Sequence, residues 1–478
     1  MKDNKKIVII GGGIAGLAAA FRIQEEVSLR RVPVECVLLE GSDRLGGKIQ
    51  TERFDDFIIE GGPDSFISQK PAAIDLCKRL GIEDRLIGTN PNQTKTYVYT
   101  GRKMRTLPDG LSLLVPTEFF PFFTTPLFSW PGKIRMGMDL FIPKKKDLSD
   151  ESLASFVRRR LGEEALQKMA EPMLAGIYAS DPEKMSLKST FPMFFHTEQK
   201  YRSLILGMLN RKRQIISTPK RAGNPYTLFM TLRTGLAEMV EAVYEKSPNV
   251  IFKTGVKVSS VERGEKGGPV WRVVLENGEA LCGGSVILAP PAHTTSKLIA
   301  GLIPKAAESL NNIVYVSTAA VTLAYRKDKF KHPLNGFGFL SPKSEGTNIM
   351  ACTWTSTKFP QRAPDNYVLL RCYIGGALRE ELAEQDKESL EEMTKADLKS
   401  IMEIDSEPDF VRVFVNRKAN VQYHVGHCDR IAQIEKQLKP FPGIYLAGSA
   451  YKGIGIPDCI SSGTAAAESA LNLLSNVD

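Results

Sequence analysis

The sequence predicts an α/β protein: a discontinuous Rossmann-like dinucleotide-binding domain, a mixed-sheet substrate domain and a helical cover. Three observations predict it. Residues 1–40 hold a strand, a glycine-rich turn, a helix and a second strand ending in an acid. The last forty residues repeat strand, glycine loop and helix, and short alternating strands and one helical, apolar and basic stretch lie between. At 478 residues, 42% hydrophobic and 24% charged, the chain has the composition of ordinary folded protein and length for about three domains. That excludes a disordered chain, a collagen-like fibre and a small disulfide scaffold.

Lys6-Ile7-Val8-Ile9-Ile10 is an apolar run bounded by glycine, the pattern of a strand covered on both faces of a parallel sheet. Gly11, Gly13 and Gly16 follow in G-x-G-x-x-G spacing, with Gly12, Ile14 and Ala15 between them, and Leu17-Ala18-Ala19-Ala20-Phe21 continues as helix. A second apolar run, residues 34–39, ends in Glu40, 24 residues beyond Gly16. Each part has a physical task. The first glycine permits a tight turn, the second lets a pyrophosphate approach the backbone, and the third lets helix and strand pack closely. Helix N-terminal amides face the phosphates, and Glu40 is placed to accept hydrogen bonds from adenosine ribose hydroxyls.

Nothing in that fingerprint separates a nicotinamide from a flavin dinucleotide. The following residues do so by likeness. Gly41-Ser42-Asp43-Arg44-Leu45-Gly46-Gly47-Lys48-Ile49-Gln50-Thr51 resembles the extended motif of the flavin amine oxidase superfamily, with Lys48 where the usual form has arginine. Lysine meets a phosphate as a point charge, so single-ended contact is expected. Glu60-Gly61-Gly62-Pro63-Asp64-Ser65 resembles the loop of that superfamily that passes near the flavin ring. At the other end, Gly443-Ile444-Tyr445-Leu446-Ala447-Gly448 reads as a strand ending in glycine, followed by Gly453-Ile454-Gly455-Ile456 and an alanine-rich helix. The resemblance implies that this segment flanks the ribityl and isoalloxazine parts of a non-covalently bound FAD, and that the Val256 backbone meets the adenine. Short strands around 251–258 and 271–275, an Asn277-Gly278 turn and a run at 285–288 supply the middle piece of the same domain.

Residues 111–132 are apolar apart from Glu118, with prolines at 116, 121, 126 and 131. Proline at that spacing breaks helix hydrogen bonding, which excludes a regular membrane span. A cover over a cavity, or an apolar face dipping into a membrane surface, remains. Alongside lies most of the charge excess. The chain holds 63 Lys and Arg against 54 Asp and Glu, a net +9, and residues 131–221 alone hold 18 against 10. The basic runs 144–146, 158–160 and 211–213 suit an anionic membrane or a polycarboxylate substrate, or are simply a solvated helix surface. No aromatic-basic interleaving accompanies them, so no nucleic-acid partner is expected.

Longer strings narrow the likeness: Glu171-Pro172-Met173-Leu174-Ala175-Gly176-Ile177-Tyr178, Ala351-Cys352-Thr353-Trp354-Thr355, Gln422-Tyr423-His424-Val425-Gly426-His427 and Gly453-Ile454-Gly455-Ile456-Pro457-Asp458-Cys459. Together they resemble the porphyrinogen oxidases of haem synthesis, most of all the form from Gram-positive bacteria, over residues 6–474. The resemblance implies oxidation of coproporphyrinogen III to coproporphyrin III by removal of six electrons, with three O2 consumed and three H2O2 released. Protoporphyrinogen IX is the alternative substrate. A flavin amine oxidase and a non-catalytic FAD-fold escort are more distant alternatives. A porphyrinogen is a large apolar disc with carboxylate arms, which calls for an aromatic or aliphatic slot and peripheral cations. The likeness places Lys70 at a substrate carboxylate and Tyr178 and Tyr373 on the cavity wall. No side chain is assigned as catalytic, because the cofactor carries the redox work. One position departs from relatives: Asn416 stands where they carry a tryptophan near the flavin.

His424-x-x-His427-Cys428 lacks further ligand types nearby, so no metal is expected. Seven cysteines with no C-x-x-C pair read as reduced thiols. With a strand beginning within a few residues of Met1, the expected location is cytoplasmic, with a peripheral contact at the inner membrane face as a variant. Contact with the enzyme of the next haem-pathway step is compatible with the sequence. The expected division is residues 1–75, 225–292 and 418–478 for FAD; 76–108, 205–224 and 293–417 for substrate; and 109–204 for the cover.

Overall fold

A computed structural model describes residues 5–30, 34–108, 111–112, 115–116, 118–217, 226–265 and 270–475. The run Lys6–Ile10 is the middle strand of a five-stranded parallel sheet, in the order Val250–Lys253, Glu35–Leu39, Lys6–Ile10, Ser285–Leu288, Ile444–Leu446. Ile7, Val8 and Ile9 have no accessible surface, as a strand covered on both faces requires. Ile7 and Ile9 face the helices Ile14–Arg30, Ala72–Leu80, Ala237–Glu245 and Ile456–Ser475, while Val8 and Ile10 face Trp271–Leu275 and the helices Ala292–Ile299 and Pro304–Asn311. The Asn277-Gly278 turn joins Trp271–Leu275 to Ala280–Gly283, with Gly278 at φ 87°.

The second sheet has seven strands in the order Phe410–Val421, Tyr315–Arg326, Tyr367–Gly375, Ile349–Trp354, Gly338–Leu340, Thr96–Thr100, Lys103–Thr106. All neighbours are antiparallel except Gly338–Leu340 with Thr96–Thr100. Its two faces have different tasks. Val321, Leu323, Cys352, Cys372 and Ile374 bury themselves against the helix Lys387–Met402. The opposite face is graded along the strands. Ala324 and Leu369 seal against Phe57 and Ile59 of the strand Phe57–Glu60. Next comes the row Thr322, Arg371, Thr353, and then the row Phe414, Ala320, Tyr373, Ala351.

The cover is a cluster of short helices around Phe128, Phe156, Met169 and Phe194. Two of its features depart from the sequence reading. Pro121 and Pro131 sit in the first turns of the helices Phe119–Thr124 and Trp130–Gly137, where their missing N–H groups lack intrahelical partners anyway. They punctuate short helices here instead of preventing them. The basic run 158–160 is internally neutralised: Arg158 pairs with Glu163 and Glu183, Arg159 with Glu151 and Glu198, and Arg160 with Asp139 and Glu198. It is therefore no free positive surface. The helix Ala72–Leu80 belongs to the core of the parallel-sheet unit, Leu204–Ser217 joins the cover, and strand Phe410–Val421 stays in the seven-stranded sheet past residue 418. No helix among the described residues is long and apolar enough to cross a membrane.

Candidate active site

The three glycines of the first turn divide their work as steric reasoning requires. Gly11 turns the chain at φ +101°, with its amide donating to the Leu39 carbonyl at 2.7 Å. A Cβ on Gly16 would stand 2.0 Å from the Gly11 carbonyl oxygen, so only glycine lets the helix close on the turn. A Cβ on Gly13 would meet no protein atom within 4 Å. A groove therefore runs over Gly13 to the N-terminus of the helix that Ile14 and Ala15 open. The C-terminal helix closes from behind, where a Cβ on Gly463 would lie 1.9 Å from the Ala15 carbonyl oxygen. The Glu40 carboxylate accepts from the Gly12 N–H at 2.6 Å and from the Ser42 N–H and hydroxyl, each at 2.8 Å. Gly41 follows on the surface, and the Val256 N–H donates to the Glu40 carbonyl at 2.9 Å. Val256 is thus fixed at this end of the groove, with its amide already engaged.

Beyond Gly13 stands Lys48, exposed on one side. Desolvation by the surrounding protein pushes its ammonium down, and its Nζ is 5.8 Å from the Tyr315 ring centre. Gly62 presses on the Lys48 carbonyl oxygen, which a Cβ would approach to 1.8 Å. The loop 60–65 is held from the seven-stranded sheet. Asn416 Nδ2 donates to the Gly61 carbonyl at 3.1 Å, and Arg371 donates to the Gly62 carbonyl. Asp64 accepts from the Ser65 hydroxyl at 2.7 Å and pairs with Lys358 at 3.1 Å. Burial pushes the Asp64 carboxyl up, but Lys358 and Arg371 outweigh it and hold the group well below the usual carboxylate range. Pro63 and Ser65 keep partial exposure on the same loop.

The C-terminal loop leads to Cys459, which stands close to Lys48. Gly448 donates to the Ser462 hydroxyl at 3.1 Å. The Tyr423 hydroxyl donates to the Ser449 carbonyl at 2.6 Å and accepts from the Gly453 N–H at 2.8 Å, pinning the loop at both ends. The Gly455 N–H donates to Asp458 at 3.2 Å, Ile454 packs on the core, and Ile456 starts the final helix. His427 is buried in a stack on Tyr423, with ring centres 4.0 Å apart. The seven cysteines are free thiols, and Cys459 is buried near Lys48.

Tyr178 and Tyr373 are the sequence candidates for a cavity wall. Each keeps partial accessibility while burial pushes its hydroxyl up to about 12. Tyr178 stands near Asp458, and Tyr373 lies under the Arg371 guanidinium, 4.9 Å from the ring centre. Lys70 reaches the same region, but its ammonium is held bidentately by Asp458 at 2.6 and 2.7 Å. Among the sequence-predicted residues, Lys70 and Tyr178 both stand near Asp458, and Tyr373 stands near Arg371 and Asp64. Sequence reasoning missed Arg371, Lys358 and the tethering role of Tyr423. Tyr423 and Asp458 stood within recognised strings, whereas Arg371 and Lys358 reach the loop only through strand order in a distant sheet.

Open space over Gly13, a helix N-terminus and an oriented Glu40 carboxylate suit a flavin dinucleotide. Comparison with known proteins agrees. Residues 14–471 match the family model described as flavin containing amine oxidoreductase. The chain is 40% identical to the coproporphyrinogen III oxidase of Bacillus subtilis (strain 168), over 99% of this chain and 100% of that one. It is 32% identical to the coproporphyrinogen III oxidase of Staphylococcus aureus (strain NCTC 8325 / PS 47), over 97% and 98%. A crystal structure from Exiguobacterium sp. 255-15, assigned by name to the protoporphyrinogen oxidases, superposes with TM-score 0.84 at 30% identity, covering 98% of this chain and 99% of that one. The expected α/β fold and FAD cofactor are thereby borne out. The chain belongs to the flavin containing amine oxidoreductase family, and it is an FAD-dependent oxidoreductase of that family's porphyrinogen-oxidase kind.

Proposed function

We propose that the protein oxidises coproporphyrinogen III to coproporphyrin III in haem biosynthesis, with FAD held non-covalently and O2 as the final acceptor. The observation that supports this reading is the pair of desolvated tyrosines beside the cofactor-side loops, Tyr178 near Asp458 and Tyr373 near Asp64, with Lys70 paired to Asp458. Bound FAD supplies a two-electron acceptor that O2 reoxidises, so loss of six hydrogens takes about three cycles and yields about three H2O2. The protein contributes placement. Gly11, Gly12, Gly13, Ile14, Ala15 and Gly16 line the pyrophosphate, with Lys48 close by. Glu40, Gly41 and Val256 flank the adenosine. Gly62, Pro63, Asp64 and Ser65 on one side, and Gly448, Gly453, Ile454, Gly455 and Ile456 on the other, flank the ring end. Tyr178 and Tyr373 bound the slot for the macrocycle. Lys70 is about half exposed, at 49%, so its pair with Asp458 is weak enough to exchange for a substrate carboxylate.

Protoporphyrinogen IX is the second substrate to compare, since it lacks two of the carboxylate arms. An amine oxidase needs an aromatic cage for a cation, whereas the loop here is flanked by Lys358 and Arg371. The same reading divides the chain into cofactor, substrate and cover units, with the helix Ala72–Leu80 in the first and Leu204–Ser217 in the cover. Parallel aerobic assays with the two porphyrinogens, following porphyrin fluorescence and peroxide, test the assignment. Higher kcat/KM for coproporphyrinogen III is expected; preference for protoporphyrinogen IX would reassign the substrate.

A second reading concerns the cover, where Phe120, Trp130, Ile134 and Phe141 are 79, 63, 65 and 78% exposed. Such apolar exposure beside lysines fits a membrane interface at the cytoplasmic face. Flotation with anionic vesicles should carry the protein, and Phe120→Ser with Phe141→Ser should release it. Equal recovery of both forms in the vesicle-free fraction would refute this contact.

A further inference from the structure

Beneath the loop 60–65 lies a cluster of charges whose three cations, Lys358, Arg362 and Arg371, the placement of cofactor and substrate does not use. Arg371 is 3% exposed, and Arg362 1%. Three cations, Lys358, Arg362 and Arg371, face two acids, Glu60 and Asp64, so the cluster has one positive charge over. Arg371 is the unusual member. It donates to the Gly62 carbonyl, but its Nε and Nη1 are buried without a hydrogen-bond partner among the described residues. Its strand neighbours are Thr322 and Thr353, and the Thr322 hydroxyl is likewise unpartnered. A guanidinium desolvated and under-bonded in this way is destabilising by itself. A threonine or leucine in that row would seal the sheet face at no such cost.

We propose that Arg371 is a positioning residue whose buried positive charge, delivered through the loop 60–65, favours the reduced, more negative state of the flavin. This rests on the flavin lying against that loop. Asn416 and Arg371 hold consecutive carbonyls, of Gly61 and Gly62, so the loop cannot drift away from the charge. In a water-poor interior an unneutralised charge acts over a longer range than at the surface. Charge near the ring is one of the few means by which a protein tunes such a cofactor.

The test is the midpoint potential of the FAD holoprotein, by dye equilibration, in the wild type, Arg371→Lys, Arg371→Gln and Asp64→Asn. Arg371→Gln keeps a donor for Gly62 but loses the charge. It should shift the reduced-to-oxidised ratio about tenfold towards oxidised flavin, about 30 mV for a two-electron couple. Arg371→Lys should stay within about threefold of the wild type, on the same scale. Asp64→Asn removes a facing negative charge and should shift the ratio the other way. A Gln variant no different from the Lys variant would overturn the proposal. If Arg371→Gln fails to retain FAD, Asp64→Asn decides alone: no shift, or a shift towards oxidised flavin, overturns it. Turnover of either porphyrinogen by the wild type is a separate result, so failure of the substrate assignment would leave this outcome readable.

Discussion

Gly13 and Gly16 lie three positions apart in one turn, and a Cβ would act oppositely at the two. At Gly16 it collides with the Gly11 carbonyl oxygen at 2.0 Å; at Gly13 it projects into the groove. Gly16→Val should therefore fail to fold or lose several kcal/mol, roughly the scale of severe backbone overpacking. Gly13→Val should fold with a near-normal melting temperature but purify without yellow colour. Thermal melts and the flavin absorbance ratio separate the two; a yellow Gly13→Val protein would refute the phosphate groove. These roles were legible because the spacing is local. The behaviour of His427 was not, because it depends on burial against Tyr423. Burial foremost, and then Arg430, pushes its imidazole down to about 4. The unfolded chain takes up that proton near the ordinary value of about 6.5. Stability from the neutral ring is thus complete above about 6.5, declines as pH falls towards 4, and levels off below, a loss of up to about 3 kcal/mol. Urea unfolding of His427→Phe at pH 7 and 4.5 should show a smaller pH difference than the wild type; an equal difference would place the effect elsewhere.

At the scale of elements, the helix Leu153–Arg160 shows why a charge run is a poor guide to a surface. Three successive arginines point in different directions on a helix. Arg158 is 44% exposed on its two acids, whereas Arg160 and its partner Asp139 are both at 0%. Asp139 also accepts from the Ser203 hydroxyl at 2.6 Å and the Ile205 N–H at 3.1 Å, so it joins the helices on either side. Arg160→Ala should lose about 3–5 kcal/mol by leaving that carboxylate buried and unpaired. Arg158→Ala should lose about 0–1 kcal/mol. Chemical denaturation of the two variants gives the comparison directly, and similar losses would contradict the packing described. In the sequence both were members of one basic run, since their acids lie on separate helices. Asn416 is the converse case. The sequence reading singled it out, but its partner, the Gly61 carbonyl, required the register of strand Phe410–Val421 against Tyr315–Arg326.

For the whole molecule, the cofactor unit could be read from its ends because each fingerprint packs strand, glycine turn and helix into a few dozen residues. The substrate side could not be read in this way. Arg371, Lys358 and Tyr373 come within reach of the loop 60–65 only because a sheet assembled from both halves of the chain turns one face towards it. The packing of Ala72–Leu80 in the parallel-sheet core and of Leu204–Ser217 against the cover was illegible for the same reason, since amphipathic helices show that they are half buried but not against what. With Lys70 proposed at a substrate carboxylate, Lys70→Met should raise KM for coproporphyrinogen III severalfold with little change in kcat, as loss of one exposed carboxylate contact would. An unchanged KM would remove Lys70 from the cavity rim. The decisive measurement is anaerobic: oxidised holoprotein is titrated with coproporphyrinogen III while flavin bleaching and porphyrin absorbance are followed together. The geometry predicts that about three flavins bleach for each coproporphyrin formed, the ratio set by three two-electron steps. Full FAD occupancy with no bleaching by coproporphyrinogen III would contradict it.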